Sequence, residues 1–212
     1  MTKPLIGCLA LQGCVDRHRP HIEAAGADFT PVKTAADFAQ VDAFILPGGE
    51  STTMLRLIKV FDLWEPLAGQ FKVKPVWGIC AGTILMAEKA IVNDNLSSRR
   101  SSANTETIKQ EKTQKSFGLL PIEVLRNGYG TQLESHLVNI DGYDVSFIRA
   151  PVISKTADTV EIKASHQDTP VWVQGTGEQT RYIASTFHPE LTFDFPSPMH
   201  RYFVNLVTQQ TR

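Results

Sequence analysis

The stretch KPVWGICAGTILMAEKA, residues 74–90, decides the fold. Pro75-Val76-Trp77 reads as a short buried strand, and Ala81 to Ala90 as a helix with Ile84, Leu85 and Met86 among good helix formers. Between them Cys80 stands at the centre of Gly78-Ile79-Cys80-Ala81-Gly82. A strand-to-helix corner this tight calls for residues that tolerate strained dihedrals, which glycine does at little steric cost. Such a corner pushes its apical side chain out of the sheet edge, while the amides that follow point toward it from the helix start. Those amides and the helix dipole favour negative charge on the sulfur. Cys80 is therefore a candidate nucleophile, with a buried structural cysteine as the competing reading.

Outward from this corner the first half of the chain alternates strand and helix. LIGCLAL, FTPVK and DAFILPGG read as strands; VDRHRPHIEAAG carries a helix that stops at Gly26, and STTMLRLIKVFDLW begins one after Glu50. This βαβ rhythm predicts an α/β fold with a mostly parallel central sheet flanked by helices. Ligands in such sheets gather at the carboxyl ends of the strands, where Gly48-Gly49 and Cys80 both fall. The second half changes character. LLPIEVLRN, SHLVNI, VSFIRAP, TVEIKAS, PVWVQGT and RYIASTFHPE are short β-rich runs, which predict added strands rather than further βαβ units, and a helix over about Met199 to Gln209 closes the chain. Residues 93–116 form a polar stretch with little apolar surface to bury, expected to be a mobile insertion in a single domain spanning 1–212.

The composition excludes several classes. The chain has 212 residues, 42% of them hydrophobic, and a net charge of −1, so no basic field points to nucleic acid. No stretch approaches the length of a membrane span, and the N-terminal run lacks a signal-cleavage pattern. Three cysteines, Cys8, Cys14 and Cys80, fit neither a disulfide framework nor a four-ligand zinc site. They fit a reducing, cytoplasmic compartment, with Cys8 read as core and Cys14 as incidental.

A cysteine nucleophile needs a base, and the base an orienter. STFHPELT supplies both. Pro189 disfavours the helical region for His188, and in an extended chain residues i and i+2 project to one side, which brings the Glu190 carboxylate to the imidazole. His136, His166 and His200 have no carboxylate at that spacing, and His18 and His21 fall on the first helix. In LPGGEST, residues 46–52, paired glycines at a strand end leave backbone amides open to an oxyanion, and Ser51 is positioned to cap the helix that follows. Together these elements make an acyl-transfer site.

LALQG, LPGGESTTM, WGICAGTILMA, RNGYGTQ, FIRAP and FHPELT occur in this order. In them the chain resembles the PdxT/SNO family of triad glutamine amidotransferases, the glutaminase subunits of pyridoxal 5'-phosphate synthase, over nearly its whole length. The resemblance implies Cys80 as nucleophile, His188 as base and Glu190 as its orienter. It places the backbone amides of Gly49 and Ala81 at the oxyanion, and Gly49, Glu50, Ser51, Arg126, Ile148 and Arg149 around the substrate, L-glutamine. An internal salt bridge is the competing role for Arg126 and Arg149. No metal and no organic cofactor are implied, and the implied partner is a synthase subunit that receives ammonia and activates the glutaminase. The sequence departs from the family pattern at Ile79, where threonine is usual, in GYGTQLESH, and in the length of residues 93–116. Rival readings are a triad amidotransferase of another pathway, a stand-alone γ-glutamyl hydrolase, and a catalytically silent regulatory subunit.

Overall fold

A computed structural model describes residues 3–92, 112–126 and 136–210. The chain begins with β1 (Leu5–Leu9), α1 (His18–Ala24), β2 (Asp28–Val32), α2 (Ala35–Gln40) and β3 (Ala43–Leu46). It continues through α3 (Ser51–Val60), α4 (Trp64–Phe71), β4 (Val76–Ile79) and α5 (Ala81–Met86). Then come β5 (Ala87–Val92), β6 (Thr113–Gln114), β7 (Leu120–Arg126), β8 (His136–Ile140), β9 (Tyr143–Phe147) and β10 (Val152–Thr156). Strands β11 (Val160–His166), β12 (Thr169–Gly175) and β13 (Tyr182–Ser185) lead to α6 (Pro198–Gln210).

A seven-stranded sheet in the order β11-β12-β13-β4-β3-β1-β2 organises these elements. Strands β2, β1, β3, β4 and β13 pair in parallel, and β12 and β11 extend the sheet antiparallel. Every residue of β3, β4 and β13 is buried, as expected for parallel strands covered on both faces. Side chains alternate between two cores. Phe44, Leu46 and Val76 join Met54, Leu67, Phe71 and Leu85 on one face, whereas Ile45, Trp77 and Ile79 join Ile22, Phe203 and Val207 on the other. The α/β architecture agrees with the expectation from sequence. One second-half strand is not peripheral: β13 sits beside β4 at the centre, with Ser185 opposite Ile79.

Two local expectations are corrected. The helix after Cys80 ends at Met86 rather than Ala90, and Ala87–Val92 instead forms β5 in a second sheet ordered β10-β7-β5-β6. The helix-favouring Ala-Glu-Lys-Ala run yields to parallel pairing with β7, where Ala87 faces Leu120 and Ala90 faces Val124. The cap of α3 is Glu50, whose carboxylate accepts from the Thr53 amide at 2.9 Å, and Ser51 is the first helical residue. Of the polar stretch 93–116, residues 93–111 lie outside the described residues. Its end is paired, because Thr113 and Gln114 bond to β5 and the Lys115 ammonium sits 3.6 Å from the centroid of the Trp64 ring. Among the described residues no helix is long and apolar enough to cross a membrane.

Candidate active site

The β4–α5 corner carries its strain on the cysteine itself. Cys80 has φ 50° and ψ −102°, while neither flanking glycine has a positive φ. The glycines are needed for close approach instead. A Cβ on Gly82 would lie 2.0 Å from the Leu46 carbonyl oxygen, and one on Gly78 would lie 2.6 Å from the Met86 sulfur. Cys80 is buried at 6% exposure, and its amide donates to the Ser185 carbonyl at 2.8 Å. That bond ties the corner to β13, whose continuation delivers His188.

His188 has extended backbone, φ −109° and ψ 90°, and its amide donates to the Ser146 carbonyl at 2.8 Å. The chain then turns through a 3-10 helix at Pro189–Leu191, so the run is not extended through Glu190 as the sequence led us to expect. The carboxylate still reaches the ring: Nδ1 of His188 lies 2.7 Å from Oε1 of Glu190. With Nδ1 so engaged, Nε2 is left to hydrogen-bond with Cys80. Burial pulls the imidazole pKa down, but the bonds and charges of Cys80 and Glu190 outweigh it and lift it to about 11. Burial likewise raises the Glu190 carboxyl, and the electrostatic influence of the neighbouring His18 ring with the bond from His188 brings it below the usual carboxylate value. The arrangement is an imidazolium between a carboxylate and a sulfur.

A cavity of about 380 Å³ opens beside this pair, lined by Gly48, Gly49, Glu50, Ser51, Cys80, Ala81, Arg126, Ile148, Arg149 and His188 among others. All the residues singled out from sequence thus border it, except Glu190, which stands behind His188 at 2% exposure. Arg126 pairs with Glu50, Nη2 to Oε1 at 3.0 Å. Ser51 is buried, and its hydroxyl donates to the Gln114 side-chain oxygen at 3.2 Å. Arg149 is exposed at the rim with φ 44°. The stretch GYGTQLESH lies outside the described residues up to Ser135.

The comparisons with known proteins fit this geometry. The SNO glutamine amidotransferase family matches residues 8–100 and 102–209. The chain belongs to that family. Pyridoxal 5'-phosphate synthase subunit PdxT of Parafrankia sp. (strain EAN1pec) is 40% identical over 99% of this chain and 96% of its own length. The same-named subunit of Geobacillus thermodenitrificans is 38% identical over 96% of this chain and 95% of its own. A solved glutamine amidotransferase superposes with a TM-score of 0.76 at 31% identity, covering 96% of this chain and 98% of that one. The structure of PurLQS from Thermotoga maritima shares the fold alone, with a TM-score of 0.57 at 15% identity over 98% of this chain and 100% of that one.

Gln12, Gly13 and Cys14 are among the pocket residues of this amidotransferase that escaped the reading of its sequence. The Gln12 side-chain oxygen accepts from the Glu50 amide at 2.8 Å, and the Cys14 amide donates to the Gly48 carbonyl at 3.0 Å. Gly13 has φ 108°, and a Cβ there would stand 2.1 Å from that same carbonyl oxygen. The LALQG motif therefore clamps the PGGE loop, and Cys14 is a pocket residue rather than an incidental one. Its place just beyond a strand end was the available signal. Cys8 is core, as expected, at 0% exposure. The family departure at Ile79 is also core: this side chain packs with Trp77 and Ile183 and does not line the cavity.

Proposed function

We propose that this chain is the cytoplasmic glutaminase subunit of a pyridoxal 5'-phosphate synthase, hydrolysing L-glutamine to L-glutamate and ammonia. The observation that carries the reading is the Cys80–His188–Glu190 array on a 380 Å³ cavity, in a member of an amidotransferase family. The relatives named above as synthase subunits support the choice of pathway.

The Cys80 thiolate attacks the side-chain carbonyl carbon of glutamine, and the Gly49 and Ala81 amides receive the oxyanion. The first-turn amides of a helix have no intrahelical acceptor and suit that role. Protonated His188 gives its Nε2 proton to the departing nitrogen, which leaves as ammonia, and a thioester remains on Cys80. A water then attacks the thioester and yields a proton to His188. Collapse of the second tetrahedral adduct releases glutamate and restores the thiolate. Arg126 and Arg149 suit the substrate α-carboxylate, and Glu50 the α-ammonium. The Arg126–Glu50 ion pair does not exclude this, because a guanidinium has five N–H donors.

Ammonia released into water is lost, so hydrolysis is productive only when an acceptor enzyme is docked. The test is ammonia release by the purified chain with and without the synthase subunit, alongside labelling by an electrophilic glutamine analogue. Synthase-stimulated release and modification at Cys80 are expected. Absence of release in both conditions, or labelling elsewhere, overturns the reading.

A further inference from the structure

Behind the triad, on the side away from the cavity, lie three histidines that the hydrolysis does not use. His18 and His21 on α1 and His200 on α6 are all at 0% exposure. The His21 and His200 rings stack with centroids 4.3 Å apart, and Trp77 meets His200 edge-on at 4.9 Å. A buried polar ring is costly unless its nitrogens are bonded, so the bonds it makes decide where its proton sits.

Those bonds can be followed from Ser197. Its Oγ accepts from the His200 backbone amide at 3.2 Å, capping the first turn of α6. The same oxygen lies 2.6 Å from Nδ1 of His200. The hydroxyl proton remains to be donated, and Nδ1 of His200 is the acceptor in reach. His200 then carries its own proton on Nε2, which lies 2.9 Å from Nδ1 of His18. His18 accepts there, so its proton is on Nε2. That nitrogen is buried and has no hydrogen-bond partner among the described residues, and the same is true of Oε2 of Glu190. One is a donor lacking an acceptor, the other an acceptor lacking a donor. The two side chains also act on each other electrostatically. After burial, which raises the Glu190 pKa and lowers that of His18, each is the other's leading opposing influence. His21 bears on the same segment. Its Nδ1 accepts from the Ser197 amide at 3.0 Å, and the backbone carbonyls of Glu190 and Thr192 act on its ring.

We propose that His18 is a positioning residue for the triad, presenting its Nε2–H through one buried water to Oε2 of Glu190. Two unpaired buried groups of opposite kind are what a single internal water satisfies. Glu190 is then gripped from both sides, with His188 on Oε1 and the Ser197–His200–His18 line on Oε2, and cannot rotate away from the imidazole. At metal sites, partners that orient a ligating side chain in this way matter by about tenfold to a hundredfold, and the same scale is expected of a group that orients the triad carboxylate. The proposal rests on the glutaminase reading.

The test uses the full chain with its synthase subunit and compares His18→Leu with His18→Gln, each with and without Glu190→Gln. His18→Leu should lower kcat by about tenfold to a hundredfold while glutamine KM stays within about twofold. His18→Gln, which returns an N–H near the lost one, should recover most of that loss. In the Glu190→Gln background His18→Leu should cost less than about twofold, because the group it positions is gone. Full kcat in His18→Leu, or an equal loss in both backgrounds, overturns the proposal. A second readout is independent of activity and of whether the Leu variant folds. Nitrogen NMR of the ring-labelled chain should place the His18 proton on Nε2, with a resonance that moves in Glu190→Gln. A proton on Nδ1 of His18 overturns the proposal even in an active enzyme. A correct tautomer in a chain that releases no ammonia would leave the positioning intact and place the failure in the glutaminase reading.

Discussion

A Cβ built on Gly48 would lie 2.1 Å from Cε1 of His188, so the loop glycine and the imidazole touch with no room for a methyl group. Gly48→Ala should push the ring away from Cys80 and Glu190 and lower turnover by about a hundredfold or more. Gly69→Ala is the control. In α4 its new methyl meets nothing within 4 Å, and removing a helix-interior glycine should raise stability by about 0.5–1 kcal/mol. Ammonia assays and denaturant melts read the two effects. Wild-type turnover in Gly48→Ala would show that the imidazole does not need the place it occupies.

Replacing Cys80 removes the nucleophile and also tests its backbone. Both Cys80→Ala and Cys80→Gly should lose glutamine hydrolysis entirely. They should differ in stability, because alanine keeps a Cβ at φ 50° whereas glycine accepts that conformation freely. Cys80→Gly should be the more stable of the two by about 1 kcal/mol. Equal melting curves would place no strain at the corner.

The protonated imidazole gives stability a pH dependence of defined sign. His188 is raised from 6.5 to about 11, against the pull of burial, by Cys80 and Glu190. A folded-state pKa above the unfolded value gives stabilisation that is full below the unfolded pKa and is lost as pH rises through the folded one. From about pH 7 to about pH 10 the wild type should therefore lose melting temperature more steeply than His188→Asn. Parallel slopes would mean that the ring is not held in its charged form.

Gln12→Leu should act on binding more than on chemistry. It leaves the Glu50 amide, now bonded at 2.8 Å, without its acceptor and frees the loop that carries Glu50 and Ser51. A cost of about 1–2 kcal/mol in stability and a several-fold rise in glutamine KM are expected, with kcat little altered. Steady-state kinetics decide. A fall in kcat at constant KM would move Gln12 from the binding side of the pocket to the reacting side.

What could be read in advance was local. The βαβ half, the Gly-x-Cys-x-Gly corner and the two-residue spacing of His188 and Glu190 are all written within short windows. What could not be read depended on distant partners. Ala87–Ala90 has the composition of a helix and becomes strand only because β7 arrives beside it. Gln12 and Cys14 reach the cavity because Gly13 lets the Gly48 carbonyl approach, a contact across the sheet edge that no window contains. Glu50 caps α3 with its longer arm where the neighbouring serine looked the better cap. His18 and His200, far apart in the chain, were only helix residues until α1 and α6 brought their nitrogens to 2.9 Å.

The central place of β13 has a consequence for the protein's birth. Residues 182–185 pair with β4, laid down some hundred positions earlier, and they bring His188 with them. A ribosome-bound chain that has emerged only as far as Arg181 already holds Cys80, yet has neither the strand that receives the Cys80 amide nor the base that activates the sulfur. Synthesis must pass His188 and Glu190 before a single glutamine can be split. Chains that stop short of His188 are thereby silent, and glutamine is protected from them by topology alone.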